Sequence, residues 1–258
     1  MTFKQGKSRV ARKNAPAVLR LAATLVATCG FLLTVCDRQA RSQTFAIGAH
    51  HTKCVIVFQD ETGSDLADWN KMREQIAKIA SRLGSDDEFA LIAINDHGGE
   101  AGNIRISLTS LHAGPLEMAK LTQQRNAIIQ QVRALKPQGH PTHTDIVGAI
   151  KQALDTAKKA QAMAKQADPH ASVDIVLAFF SDMQQTPRMP KPADFAGIRF
   201  PPGTKAYSFY VAAPGKNGIQ STVAIWQPLL NSAGIAITEN DFHQQGTVEA
   251  AIDSAFHN

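Results

Sequence analysis

The sequence predicts an α/β fold, a three-layer sandwich in which helices flank a largely parallel central sheet. Short apolar runs rich in β-branched residues alternate along the chain with longer segments whose apolar residues recur at helical spacing. This alternation is typical of proteins with a parallel sheet. The central runs are apolar at every position, which indicates strands covered on both faces. With 258 residues, 44% of them hydrophobic, the chain can bury the core of one domain or at most two.

The first half of this pattern supplies three predicted strands and a helix. The run CVIVF at residues 54–58 is short, continuous and β-branched, as expected of a buried strand. Six apolar residues then recur at helical spacing before a glycine stop at Gly84. They are Leu66, Trp69, Met72, Ile76, Ile79 and Leu83. Residues 88–96 and 103–109 are predicted to be the second and third strands, joined by a hairpin-like connection.

The second half continues with alternating helices and strands. One helix is predicted to begin near Pro115 and to end before Pro137. A longer helix over residues 144–166 is predicted to have Thr144 as its N-cap. The remaining predicted elements are strands at 172–180, 205–213 and, as a short edge strand, 235–238, and helices at 221–234 and 246–256.

The N-terminal 41 residues are predicted to be a signal peptide or membrane anchor with a basic N-region. Five cations precede the apolar stretch LRLAATLVATCGFLLTVC: Lys4, Lys7, Arg9, Arg12 and Lys13. This stretch has about the length of a signal peptide and is short for a membrane span. Residues 42–52 are then a linker and residues 53–258 the folded domain. We therefore expect a periplasmic or otherwise extracytoplasmic domain, whose membrane contact is limited to the N-terminal segment.

The end of the apolar stretch, LLTVC, resembles a bacterial lipobox in which Cys36 is the lipidated residue. Val35 stands where that motif prefers Gly or Ala. A single lipidated cysteine would make the chain a lipoprotein anchored to the membrane by its acyl groups. The pattern leaves three alternatives open: a cleaved signal, an uncleaved anchor and a lipid anchor.

The basic character of the chain belongs to its N-terminus. The sequence pI is about 9.2, but residues 1–41 carry eight Lys and Arg against the single acid Asp37. Residues 42–258 carry 19 basic and 21 acidic side chains, a net charge of −2 with His neutral. The folded part therefore lacks the charge expected of a nucleic-acid-binding domain, and we expect no nucleic-acid partner.

The cysteines give the domain no internal disulfide. Cys29 and Cys36 lie in the signal-like stretch, which leaves Cys54 alone in the folded part. Cys54 opens an apolar strand, so it is predicted to be a small buried filler rather than a nucleophile.

Oxygen-bearing side chains follow two of the predicted strands. Asp60 comes two residues after Phe58, and Asp182 comes two residues after Phe180. Because ligands of open α/β sheets bind beyond the carboxyl ends of the strands, both acids are expected at the binding edge. A third loop brings Thr142 and Thr144 to the same edge. With Thr144 assigned to the helix N-cap, Thr142 is free to join the acids.

The spacing in the first loop suggests a metal site. Alternate residues of an extended turn point to the same side, so Asp60, Thr62 and Ser64 can converge on one point. Together with Thr142 and Asp182 they offer two carboxylates and three hydroxyls. An all-oxygen set of this kind suits a hard divalent cation, Mg²⁺ first, with Mn²⁺ or Ca²⁺ as alternatives.

The three loops resemble those of the von Willebrand factor A domains, a family that includes the inserted domains of integrins. The metal-ion-dependent adhesion site of that family has an Asp-x-Ser-x-Ser loop, a separate Thr and a separate Asp. The matching residues here are Asp60, Thr62 and Ser64 in DETGS, Thr142 in PTHTDIVGAI, and Asp182 in FFSDMQ. The resemblance covers roughly residues 52–256 and implies a Rossmann-like A-domain fold.

The chain departs from the family pattern at several positions. Thr62 replaces the usual Ser, and the segment after Asp182 lacks the common Gly. Glu61 adds a charge beside the site and is expected to point away, since its neighbours point in. The resemblance also permits Thr144 in place of Thr142 as the ligand, because both Thr residues of a T-x-T pair can approach the ion.

The resemblance implies an exported, non-enzymatic protein-binding module, in which the cation engages an Asp or Glu of a partner protein. One alternative is a metal-dependent phosphohydrolase or phosphotransferase with Asp60 as nucleophile. Such enzymes need a second acid two residues later, where this chain has Thr62. Another alternative is a scaffold of the same fold that binds its partner without a metal.

Overall fold

The structure, a computed structural model, describes residues 51–62, 66–138, 142–212 and 218–256. The predicted signal segment with Cys36, most of the linker, and Ser64 lie outside these residues. Within them, no helix is long and apolar enough to cross a membrane.

The described residues form a six-stranded sheet with five α-helices. The strands are β1 His51–Asp60, β2 Glu88–Ile94, β3 Ile104–Ser110, β4 Ser172–Phe180, β5 Lys205–Phe209 and β6 Phe242–His243. The helices are α1 Trp69–Ser81, α2 Met118–Ala134, α3 Ile146–Ala167, α4 Ile219–Ser232 and α5 Val248–Ala255. Strand β1 includes His51 and Thr52, which the sequence pattern assigns to the linker.

The sheet has the order β3-β2-β1-β4-β5-β6 and is parallel except for β3. Strand β3 runs antiparallel to β2, as the hairpin-like connection predicts. Strands β1 and β4 lie at the centre, and their residues 54–60 and 175–180 are buried. The predicted largely parallel central sheet is confirmed.

Two apolar layers, one on each face of the sheet, make the fold a three-layer sandwich. Ile56 and Phe58 of β1 pack with α3 and α4, and the ring of Phe58 stacks on Phe179 of β4 at 4.2 Å between centroids. Val55 and Val57 point to the other face, where α1, α2 and α5 pack. This alternation along β1 explains why the run is apolar at every position.

Two sequence predictions about element ends are wrong. The N-cap of α3 is Asp145 rather than Thr144: its Oδ1 accepts a hydrogen bond from the Gly148 amide at 2.8 Å. The edge strand is β6 rather than residues 235–238. In that segment Ala236 makes only an isolated bridge with Lys205.

The first turn of α3 packs tightly against the connection between β2 and β3. A Cβ placed on Gly98 would lie 2.1 Å from the Asp145 carbonyl oxygen. A Cβ on Gly148 would lie 2.7 Å from the Gly99 amide nitrogen and 2.1 Å from a carboxylate oxygen of Asp145. Both positions therefore require glycine, because backbone meets backbone there.

Candidate functional site

Asp60 is the last residue of β1 and is fully buried at the carboxyl edge of the sheet. Its Oδ1 accepts hydrogen bonds from the Thr62 amide at 2.9 Å and from the Thr62 hydroxyl at 2.6 Å. Its Oδ2 accepts a hydrogen bond from the Ser181 hydroxyl at 2.7 Å. No Lys, Arg or His of the described ranges forms an ion pair with this carboxylate, so its hydrogen-bond partners are neutral.

Burial raises the pKa of Asp60, because it penalises the charged carboxylate. The hydrogen bonds from Thr62 and Ser181 act in the opposite direction. The negative charge of Asp182 raises the pKa further. Thr62 contacts Asp60 directly, and Asp182 follows Ser181, whose hydroxyl donates to Asp60.

Ser181 is a residue of this edge that the sequence analysis missed. It follows β4 directly, is fully buried, and its hydroxyl accepts a hydrogen bond from the Met183 amide at 3.0 Å while donating to Asp60. The signal was present in the sequence as a hydroxyl between the end of the strand and Asp182. Ser181 connects the β1 and β4 loops through a single side chain.

The loop after Asp182 is held in place by α4. The Asp182 side chain accepts a hydrogen bond from the Gln184 amide at 2.8 Å, which closes a tight turn around Met183. The indole nitrogen of Trp226 donates to the Met183 carbonyl oxygen at 2.8 Å. Trp226 is itself fully buried, so the turn is attached to the rigid interior of the domain.

The two candidate threonines differ in their surroundings. Thr142 is exposed, whereas Thr144 is only 5% exposed. The Thr144 amide donates to the Thr186 hydroxyl at 2.8 Å, and its carbonyl oxygen accepts from the Thr186 amide at 3.1 Å. Thr144 is therefore joined to the loop that carries Asp182, and Thr142 shows no comparable attachment within the described ranges.

Glu61 points away from Asp60. Its carboxylate forms an ion pair with Arg105 of β3 and accepts a hydrogen bond from the Gln138 amide at 3.0 Å. Arg105 also donates to the Lys136 carbonyl oxygen at 2.7 Å. Glu61 and Arg105 are almost fully buried, so this pair links the β1 loop to the segment that leads toward the threonines.

The described donors fit a hard cation in their chemistry. They are carboxylate and hydroxyl oxygens, without sulfur or imidazole. Across the described ranges, no three or more His, Cys, Asp and Glu side chains gather as a metal-binding group. The predicted set has only two carboxylates and completes its donors with hydroxyls, one of which, Ser64, lies outside the described residues.

Comparison with known proteins gives similarity of structure alone. No protein-family model matches the chain, and no curated protein matches it in sequence. Proximal thread matrix protein 1 from the mussel byssus is 12% identical, with a TM-score of 0.47 over 81% of this chain and 49% of that one.

Two bacterial structures are similar to a comparable degree. The pilus adhesin SpaC from Lactobacillus rhamnosus GG is 12% identical, with a TM-score of 0.47 over 82% of this chain and 30% of that one. A von Willebrand factor type A protein from Catenulispora acidiphila is 16% identical, with a TM-score of 0.43 over 81% of this chain and 42% of that one. The chain thus spans half or less of each of these proteins, and similarities at this level assign no function to it.

Proposed function

We propose that this domain is an exported, non-enzymatic protein-binding module that uses a bound divalent cation to engage an acidic group of a partner protein. The observation that carries the proposal is the buried carboxylate of Asp60 at the carboxyl edge of the sheet. It has only neutral hydrogen-bond partners and a second acid, Asp182, nearby. A buried carboxylate of this kind is stabilised by a positive charge placed beside it.

Five side chains would hold the cation: Asp60, Thr62, Ser64, Asp182 and one threonine of the third loop. Mg²⁺ is the first expectation, with Mn²⁺ and Ca²⁺ as alternatives. The burial of Thr144 and its hydrogen bonds to Thr186 favour Thr144 over Thr142 as that threonine. The ion would supply a positive charge that an Asp or Glu of the partner can approach.

The protein's own residues hold the carboxylate ready for the ion. The hydroxyls of Thr62 and Ser181 direct their protons to Asp60, so their lone pairs point elsewhere. The hydrogen bond from Trp226 to the Met183 carbonyl oxygen fixes the turn that begins at Asp182. Such support by neighbouring residues orients the groups that bind a metal.

Calorimetric titration of the full-length chain with MgCl₂ tests the metal site. We expect saturable binding by the wild-type protein and none by Asp60→Ala or Asp182→Ala. Glu239→Gln, which removes an exposed acid elsewhere, should bind like the wild type. No binding by the wild type, or equal binding by Asp60→Ala, would refute the proposal.

The same titration separates the two threonines. Thr144→Ala should weaken binding by about tenfold or more, whereas Thr142→Ala should change it little. The opposite order of effects would assign the ligand to Thr142 instead. A pull-down in Mg²⁺ compared with one in chelator then tests the partner, which should elute when the ion is removed.

The alternative of a phosphohydrolase rests on Asp60 as a nucleophile at the end of a strand. The hydroxyl that stands two residues later belongs to Thr62 and donates its proton to Asp60 itself. A threonine is a poor general acid near neutral pH, so this arrangement favours binding over catalysis. Turnover of a generic aryl phosphate that Asp60→Asn abolishes would overturn the non-enzymatic proposal.

Export through the N-terminal segment is the second part of the proposal. Its support is the basic region followed by the apolar stretch that ends at Cys36. Fractionation and mass measurement of the mature chain distinguish a cleaved signal, an uncleaved anchor and a lipidated Cys36. Cys36→Ala should release the protein from the membrane only in the lipidated case.

A further inference from the structure

A cavity of about 390 Å³ lies at the edge of the sheet opposite the proposed metal site. It is lined by the first residues of β1 and β2, by the end of β3 and by the last turns of α3. Strand β1 has ten residues, so the two edges are about 30 Å apart at roughly 3.3 Å per residue. The volume is within the range of small-molecule sites.

Glu88 is the buried charged group of this cavity. It is only 4% exposed, and its Oε1 accepts a hydrogen bond from the Ser110 hydroxyl at 3.2 Å. Its Oε2 is also buried, but within the described ranges it accepts no hydrogen bond from an N–H or O–H group. The Cys54 thiol, a weak donor, is the neighbouring hydrogen-bond donor to the carboxyl group. A buried carboxylate oxygen without a strong donor is costly, and a ligand that donates to it would relieve the cost.

The neighbouring acid, Asp87, does not share this condition. Its Oδ1 accepts from the Lys53 amide at 3.1 Å and its Oδ2 accepts from the Gly84 amide at 2.6 Å. Asp87 therefore serves the fold by binding two backbone amides, and it does not line the cavity. Glu88 is the side chain whose hydrogen-bonding capacity is left over.

The rest of the lining defines the chemistry of a ligand. Asp86 and Asp168 add acidic groups, His112 lies 3.5 Å from Asp86, and no Lys or Arg is among the residues that line the cavity. Met163 and the alanines at 164, 167 and 171 supply an apolar wall from the end of α3 and the residues after it. This combination suits a molecule with a positive charge at one end and a short hydrocarbon part at the other.

We propose that this cavity binds an organic cation of the primary ammonium type, whose ammonium group donates to Glu88 and whose hydrocarbon part packs on the end of α3. The proposal is independent of the metal site, because it uses different residues at the opposite edge of the sheet. A lysine side chain of a partner and a free alkylamine present the same chemistry to this cavity.

The test is a chemical-shift titration of the ¹⁵N-labelled full-length chain with n-butylammonium chloride at pH 7.5. Chelator in the buffer excludes any contribution from the metal site. We expect saturable shifts, in the low-millimolar range, for amides around residues 52–54, 86–88, 110–112 and 163–171. n-Butanol, which has the same chain without the charge, should cause much smaller shifts.

Two variants and a control make the result decisive. Glu88→Gln should weaken binding about tenfold or more, since it removes the charge that the ammonium group contacts. Ala167→Leu, at an exposed position of the cavity wall, should weaken binding by filling space and should leave the core intact. Glu239→Gln should bind like the wild type. Absent saturation, equal binding of butanol, or undiminished binding by Glu88→Gln would each overturn the proposal.

The two sources of such a cation are distinguished by a second arm. A short peptide with one central lysine is titrated beside n-butylammonium, with the acetyl-lysine peptide as its control. Tighter binding of the lysine peptide identifies a protein side chain as the ligand. Binding of the amine alone identifies a small molecule. Binding of neither refutes the site.

Discussion

Asp60 and Glu88 are both almost fully buried, and in both residues burial raises the pKa of the carboxyl group. They differ in how their oxygens are used. Both oxygens of Asp60 accept hydrogen bonds, whereas one oxygen of Glu88 accepts none from an N–H or O–H group within the described ranges. Each carboxylate is thus a local cost to folding that a suitable cation would offset.

The raised pKa of Glu88 predicts a pH-dependent effect of Glu88→Gln. Between the ordinary pKa of Glu, about 4.3, and the raised value, the folded state binds more protons than the unfolded state. The contribution of Glu88 to stability therefore falls as the pH rises through that window. Gln carries no charge, so the variant should gain stability relative to the wild type as the pH rises from about 4 toward neutral.

Urea unfolding of both proteins at several pH values in this range measures the difference. Glu239→Gln is the matched control, because it removes an exposed acid and should show no such trend. A difference between Glu88→Gln and the wild type that is constant or shrinks with pH would contradict the prediction.

At the level of elements, the β1 loop is positioned by side chains from distant parts of the chain. Ser181 joins it to the β4 loop, and the Glu61–Arg105 pair joins it to β3 and to the segment after α2. The Glu61 amide also donates to the Ile94 carbonyl oxygen at the end of β2, at 2.9 Å. The strands thus fix the edge of the sheet, and these contacts fix the loop that rises from it.

The Glu61–Arg105 pair predicts a large effect of Arg105→Ala on stability. The substitution leaves a buried carboxylate without its cation, which costs about 3–5 kcal/mol. Arg188→Ala is the comparison, because it breaks an exposed pair with Asp194 and should change the stability little. Denaturant unfolding of the two variants measures both effects. Equal, small losses would show that the buried pair does not hold the loop.

At the level of the whole molecule, the sheet separates two candidate sites. The carboxyl edge carries Asp60 and Asp182, and the opposite edge carries the Glu88 cavity, with two apolar layers between the helices and the sheet. Because both apolar layers pack on the same sheet, we expect the domain to unfold as one unit and metal binding to stabilise all of it. A ligand that binds only the folded state raises its stability by mass action.

Thermal melting with and without MgCl₂ tests this expectation. The wild-type protein should melt at a higher temperature in MgCl₂ than in chelator, by an amount that grows with the free ion concentration. At 100 times the Kd the stabilisation is about 2.7 kcal/mol. Asp60→Asn should lose the response, and a wild-type protein that melts identically in both buffers would support the metal-free scaffold.

The parts of the structure that depend on periodic patterns could be predicted from the sequence, and the parts that depend on single contacts could not. The parallel order of β1 and β4 follows from apolar runs and intervening helices, and it places Asp60 and Asp182 at one edge. The prediction of Thr144 as the N-cap of α3 was wrong because Thr144 and Asp145 are adjacent and both are good N-cap residues. The geometry of the helix start decides between them.

Contacts between distant residues leave no such trace. Glu61 and Arg105 are 44 residues apart, and neither stands in a motif that suggests the other. Strand β6 has only two residues, too few for any alternation to be visible. The sequence pattern assigns Glu88 to a strand and indicates no further role for it. Only its position against the end of α3 shows that it lines a cavity.

The close approach of Gly98 to α3 determines where foreign sequence can be added to this domain. The connection between β2 and β3 is polar and rich in glycine, so it looks suitable for a tag or a fluorophore. Around Gly98, however, the backbone of this connection packs directly against the first turn of α3. An insertion at Gly98 would push the connection away from the helix. Gly102, four residues later, has no atom within 4 Å of where a Cβ would be. A label attached at Gly102 would therefore leave the packing of this connection on α3 intact.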